Sequence, residues 1–178
     1  MERCRQRRRN RHNRHNRHNL RGVVAVEFAL VLVPLLLLVS GVAEYGRAIY
    51  QYNALTKATR DAARFLSQYA PSEPGYPLAQ AKCMAVYGKT VCEGEVLVKG
   101  LSTSMVVVCD RVDASGCGGK QFANVPIYED GDSSGVQAGT INLVEVRISG
   151  YSYSPIQTYI KVGTLAFSDI ATVMRQVL

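Results

Sequence analysis

Histidine is scarce in this chain and is confined to one end of it. The 178 residues contain three histidines, His12, His15 and His18, and none follows. Catalysis by a serine or cysteine nucleophile that needs histidine, and zinc binding by histidine, are therefore excluded for the rest of the chain. No glycine-rich phosphate-binding motif is present either. We predict that the chain is not an enzyme and holds no cofactor.

An excess of positive charge is likewise confined to the first 22 residues. Nine of the 21 basic residues are arginines at or before Arg21, where Glu2 is the single acid. The remaining residues carry 12 basic and 13 acidic side chains, although the whole chain has a net charge of +7. A nucleic-acid-binding domain carries its basic side chains on the fold, so no nucleic-acid partner is expected.

The arginines form a low-complexity segment, residues 1–22, which we predict to be a disordered basic leader. Its histidines recur in three Arg-His-Asn repeats. Histidines three residues apart would suit a metal ion if this segment were helical. We interpret them instead as repeats within the leader and predict no metal site.

Residues 23–43 are apolar except for Glu27, Pro34, Ser40 and Gly41. Twenty-one such residues are long enough to cross a bilayer as a helix. The arginines before this run predict a cytoplasmic N-terminus and an extracytoplasmic domain after it, so membrane lipid is an expected partner and the inner membrane the expected location. A cleaved conventional signal peptide is the alternative, but no small-residue cleavage site closes a short apolar segment.

The helical pattern continues beyond the apolar run. Glycine and proline are absent from residues 47–70, and apolar residues recur there at nearly helical spacing, so we predict an amphipathic half-helix over residues 44–70 that ends before Pro71. A short helix is predicted over Leu78–Tyr87. Strands are predicted over residues 96–98, 105–109, 142–149, 151–154 and 167–174. The expected fold is α+β: a long N-terminal helix, membrane-spanning in its first half, followed by a small antiparallel sheet domain at residues 71–178.

The junction between leader and apolar run reads Gly22-Val23-Val24-Ala25-Val26-Glu27-Phe28. It resembles the processing site of type IV prepilins, which has a basic leader ending in glycine and a glutamate at the fifth position after the cut. With Pro34 and the later Ala62-Ala63-Arg64, it is similar to TadE-like pseudopilins of tight-adherence pilus systems. This resemblance implies cleavage by a prepilin peptidase after Gly22, with Val23 as the new N-terminus. It also implies other pilin or pseudopilin subunits and pilus assembly proteins as partners.

Glu27 is the residue whose presence most needs an explanation. A carboxylate near the start of a membrane-spanning helix costs a few kcal/mol unless it lies among the headgroups or has a partner. Cleavage would supply one, since the α-amino group of Val23 would lie four residues away, about 6 Å along a helix. Glu27, with Phe28 after it, is therefore the predicted assembly segment. The alternative is that Glu27 only favours the start of a helix at the membrane surface.

Four of the five cysteines, Cys83, Cys92, Cys109 and Cys117, fall in the predicted exported domain. An even number of cysteines in an oxidising compartment indicates two disulfides. Three connectivities are possible, and Cys83–Cys92 with Cys109–Cys117 is favoured because each closes a short loop. Zinc is the alternative, but the paired spacing of a zinc site is missing.

Residues 130–135 have the spacing of the start of a calcium loop, but Ile141 stands where the loop needs a glutamate. We therefore interpret them as an acidic turn. Two other classes of protein remain as alternatives to a pseudopilin. One is an uncleaved single-pass envelope protein with an extracytoplasmic binding or sensory domain, and the other is a secreted disulfide-bonded module.

Overall fold

The computed structural model describes residues 2–129, 131, 135–156 and 165–177, with residues 2–21 and 165 described by their backbone only. The chain forms two compact units, Met1–Gly46 and Arg47–Leu178. The first unit is helical throughout its described part. In its described residues, the second contains the end of the same helix, a second helix and seven strands.

The first helix, α1, spans Glu2–Leu66 and contains Pro34 within it. It therefore begins before Val23 and includes the described part of the leader, which was expected to be disordered. Two properties of the leader explain the difference. Arginine is a good helix former, and no glycine or proline occurs before Gly22.

The end of α1 is closed by the last residues of the chain. The Val177 amide donates a hydrogen bond to the Ser67 carbonyl at 3.0 Å. The side-chain amide of Gln176 donates to the Tyr69 carbonyl at 3.2 Å. Carbonyls at and just beyond a helix C-terminus have no partner inside the helix, so these two bonds join the chain's last residues to the end of α1.

The second helix, α2, spans Leu78–Tyr87, as predicted. It ends at Gly88, whose φ of 70° is left-handed and whose amide donates to the Met84 carbonyl. A side chain at this position would be strained by that φ and would meet Leu97 at 3.3 Å. Gly88 therefore fixes both the end of α2 and the path of the segment that follows it.

A 3₁₀ turn at Thr103–Met105 precedes the strands, which are β1 (Val106–Cys109), β2 (Val125–Tyr128), β3 (Gln137–Ile141), β4 (Leu143–Ile148), β5 (Ser152–Tyr153), β6 (Leu165–Ala166) and β7 (Ile170–Arg175). The main sheet has the order β1-β4-β7 and is antiparallel. Two antiparallel pairs, β2–β3 and β5–β6, are separate from it.

The core of the second unit lies between its helices and one face of the main sheet. Alternate residues of β4 point to this face, and Val144, Val146 and Ile148 are buried there. The other members of the cluster include small residues of the helices and apolar residues of the outer strands: Leu55, Ala62, Ala63, Leu66, Ala81, Ala85, Val86, Val106 and Ile170.

The structure confirms the predicted α+β class of a long N-terminal helix followed by a small antiparallel sheet domain. Four of the five predicted strand regions contain strands, but residues 96–98 form none. The strands β2, β3 and β6 were missed, and β7 begins later than expected. Pro126 in β2 and Gly139 in β3 are unfavourable in strands, so the local pattern gave no signal for this hairpin.

Candidate processing and assembly segment

Gly22 is exposed within α1, and its surroundings do not explain why it is glycine. A side chain built there would meet nothing within 4 Å among the described atoms. Glycine in a helix interior costs roughly 1 kcal/mol relative to alanine. The residue thus weakens the helix at the Gly22–Val23 bond without any packing benefit in this structure.

The apolar run after Gly22 is exposed along nearly its whole length, with Leu32 and Ser40 partly buried. Phe28 is 64% exposed and Leu30 70%. Among the described residues, one helix, Gly22–Leu66, is long and apolar enough to cross a membrane. A helix that is apolar on all sides is unstable in water, so this part of α1 is suited to lipid or to apolar neighbours.

Glu27 is the one charged residue in this run, and its side chain is exposed. It takes part in none of the ion pairs found among the described residues. Val23 lies one helical turn before it on the same side of α1, about 6 Å along the axis. The helix therefore places the site of a new α-amino group within reach of an unpaired carboxylate.

Two disulfides hold the second unit. They join Cys83 to Cys92 and Cys109 to Cys117, the pairing that the short loops favoured. Cys109 and Cys117 are fully buried and pack with Phe122 on the outer face of the sheet. Cys92, in contrast, is exposed.

The outer face of the sheet contains a buried charge that the sequence reading missed. Glu145 is 0% exposed in the centre of β4 and accepts hydrogen bonds from Lys120 at 3.0 Å and from Arg147. The Glu145 carboxylate raises the pKa of Arg147, chiefly through its hydrogen bond to the guanidinium. A buried carboxylate needs such partners, so the network has a structural role in the sheet. The spacing of Glu145 and Arg147, two residues apart in a strand, was the available signal.

A second cluster of polar side chains consists of Tyr76, Asp110 and Gln176. Tyr76 lies in the loop after α1, Asp110 follows β1, and Gln176 follows β7. Burial raises the pKa of Tyr76, and the nearby Asp110 carboxylate raises it further. The Tyr76 hydroxyl has no hydrogen-bond partner of normal geometry among the described residues, and neither has the Gln176 side-chain oxygen. Asp110 itself accepts bonds from the amides of Val112 and Asp113. This group orders the loop after β1 and presents no catalytic arrangement.

The described residues contain no cluster of three or more histidine, cysteine, aspartate or glutamate side chains suited to a metal ion. Most of the sequence that suggested a calcium loop, Asp130 and residues 132–134, lies outside the described residues, and so do the side chains of the three histidines.

Residues 22–64 match the family model of TadE-like proteins. The similarity inferred from Gly22, Glu27 and Ala62-Ala63-Arg64 is thereby confirmed over this part of the chain. The match begins at Gly22 and includes both the exposed apolar run and much of the buried half of α1. No curated protein and no solved structure matches the chain.

Proposed function

We propose that the chain is a pseudopilin, a minor subunit of a tight-adherence type IV pilus or a related secretion machine. In this proposal a prepilin peptidase cuts after Gly22, and residues 23–43 anchor the product in the inner membrane, with the disulfide-bonded domain outside. The observation that carries the proposal is Gly22. It stands where the TadE-like match begins, it has no packing reason to be glycine, and an unpaired glutamate follows at the fifth position.

The residues suggest how each step would work. Nine arginines at or before Arg21 hold the scissile bond at the cytoplasmic side. The bond lies inside α1, so a protease must unwind the helix locally, and glycine eases this. Removal of the leader then leaves a positive α-amino group on Val23 for Glu27 of the same chain or of a neighbour.

Glycines elsewhere in α1 offer a matched control for the processing test. Gly22→Leu should leave a full-length precursor in the membrane, because a bulky residue would block an extended backbone in the peptidase. Gly41→Leu should be trimmed normally, since Gly41 is also a helical glycine with nothing within 4 Å of an added side chain. Mass spectrometry of the purified N-terminus distinguishes the outcomes.

A wild-type N-terminus at Val23 supports the proposal. A wild-type chain that keeps Met1 would favour the uncleaved single-pass envelope protein, for which the continuity of α1 across the Gly22–Val23 bond is the relevant observation. Normal trimming of Gly22→Leu would contradict the processing site.

A further inference from the structure

The exposed face of α1 in the second unit carries three basic residues, Lys57, Arg60 and Arg64, which we name the basic stripe. They lie on one side of the helix because they follow one another at intervals of three and four residues. None of the ion pairs among the described residues includes them. Asp61, also exposed, is the single acid beside them.

The helix holds these side chains at fixed positions. Ala58, Ala62 and Ala63, on its opposite side, are buried against the core. The stripe is therefore part of a packed element, and Arg60 and Arg64 are about 6 Å apart along the axis.

A second exposed charged surface follows α2. Residues 88–97 are all exposed and contain Glu93 and Glu95, and we name them the acidic loop. Neither glutamate takes part in an ion pair among the described residues. Lys89 is the loop's one basic residue, and its ammonium lies close to Gly94.

The acidic loop is also fixed in place, despite its exposure. The disulfide of Cys92 with Cys83 ties it to α2. The Leu97 amide donates a hydrogen bond of 2.8 Å to the Val86 carbonyl. Two residues separated by one other are at most about 7 Å apart, so Glu93 and Glu95 match the spacing of two arginines one helical turn apart.

We infer that the acidic loop of one copy of this chain docks on the basic stripe of the next copy. Two unpaired surfaces of opposite charge lie on separate elements of the same folded unit, and arginine pairs well with carboxylate in two-point contacts. A two-fold symmetric contact between two basic stripes would bring like charges together. A contact between the stripe of one copy and the loop of another is heterologous instead. It leaves one stripe and one loop free, so further copies can add in the same orientation. This inference rests on the proposed role as an assembly subunit and names a second copy of the chain as the partner.

Charge reversal tests the contact with the full chain, oxidised and embedded in neutral phosphatidylcholine vesicles. Variant A carries Lys57→Glu, Arg60→Glu and Arg64→Glu, and variant B carries Glu93→Lys and Glu95→Lys. Self-association is measured by energy transfer between labelled copies. Each variant alone should associate less than wild type by on the order of tenfold, because each sets like charges together.

Mixing the two variants is the decisive step. The acidic stripe of A then meets the basic loop of B, and the basic stripe of B meets the acidic loop of A, so association should return to near the wild-type value. Asp61→Asn and Lys89→Gln should each strengthen it, because each removes an opposing charge. High salt should weaken the wild-type association.

Lys99→Glu with Arg175→Glu is the control, since both residues are exposed and lie outside the two surfaces. An equal loss in this control, or a mixture of A and B that does not recover, would overturn the inference. So would a variant A that self-associates normally but loses binding to vesicles with anionic lipid, because lipid headgroups would then be the partner of the stripe. Mass spectrometry of the N-terminus is carried out in parallel and shows whether the chain is cut before Val23. A failure of the contact between copies can then be told apart from a failure of the proposed processing.

Discussion

Residues 23–43 and residues 47–66 belong to one helix but differ in where their apolar side chains lie. In the first segment, leucine and valine occupy all sides and are exposed, as at Leu38, which is 66% exposed. In the second, apolar residues recur every three or four positions, and most of those from Leu55 onward are buried, Leu55 itself being 0% exposed. An apolar surface on every side needs lipid or other helices around it, whereas a single apolar side needs a folded domain of its own. The sequence pattern thus indicates the surroundings as well as the helix.

The largest difference between the two segments should appear when one leucine in each is truncated to alanine. Leu55→Ala removes a fully buried side chain and should lower the free energy of unfolding of the second unit by about 2–5 kcal/mol. Leu36→Ala, at an exposed position in the apolar run, should leave that unfolding unchanged. Denaturant unfolding in mild detergent, followed by a signal from the second unit, measures both. Equal losses for the two variants would break the distinction between the segments.

Removing a disulfide should be the next largest effect, again confined to the second unit. Cys109→Ala with Cys117→Ala should lower the free energy of unfolding by about 2–4 kcal/mol, because the unfolded chain gains freedom. Cys83→Ala with Cys92→Ala opens a loop of similar length and is the matched comparison. We expect a larger loss for the first pair, since both its sulfurs are buried in a small apolar cluster. Membrane extraction assays of both variants should match wild type, because residues 23–43 are unchanged.

The smallest effect concerns pH and Tyr76. Its pKa is raised in the folded chain, so the unfolded chain releases the phenol proton first as pH rises. The contribution of Tyr76 to the free energy of unfolding is therefore complete below about pH 10. It declines as the pH rises from there toward the pKa of Tyr76 in the folded chain. Tyr76→Phe should remove this part of the pH dependence. At pH 7 it should change stability by no more than about 1 kcal/mol, because the lost hydroxyl has no partner of normal geometry. An unchanged alkaline profile would mean that Tyr76 does not titrate in this way.

The parts of the fold that the sequence predicted are those with a strong local signal. The helix predicted over Leu78–Tyr87 is α2, which Gly88 ends, and the strand predicted over residues 142–149 contains β4, whose Val144 and Val146 face the core. The β2–β3 hairpin has no such signal, because Pro126 and Gly139 are poor strand residues and only their partners make them pair. The start of α1 was missed because composition suggested disorder, although arginine is compatible with a helix.

The candidate site divides in the same way. Gly22, Glu27 and the four cysteines were chosen as candidates from residue type and spacing, and the structure joins the cysteines in two disulfides. The basic stripe and acidic loop needed the structure, since Lys57 and Glu93 are 36 positions apart in the sequence. Their exposure and lack of partners depend on how the rest of the unit packs, which no local pattern records.

The bonds from Gln176 and Val177 to the end of α1 have a consequence for the order of folding. The partners of the Ser67 and Tyr69 carbonyls are synthesised more than 100 residues later, so this closure must wait until residues 176 and 177 have emerged. A polypeptide halted after Arg175 would have all the described strands but would lack the partners of these two carbonyls. The end of α1 is therefore completed only after the residues of β7 have been made.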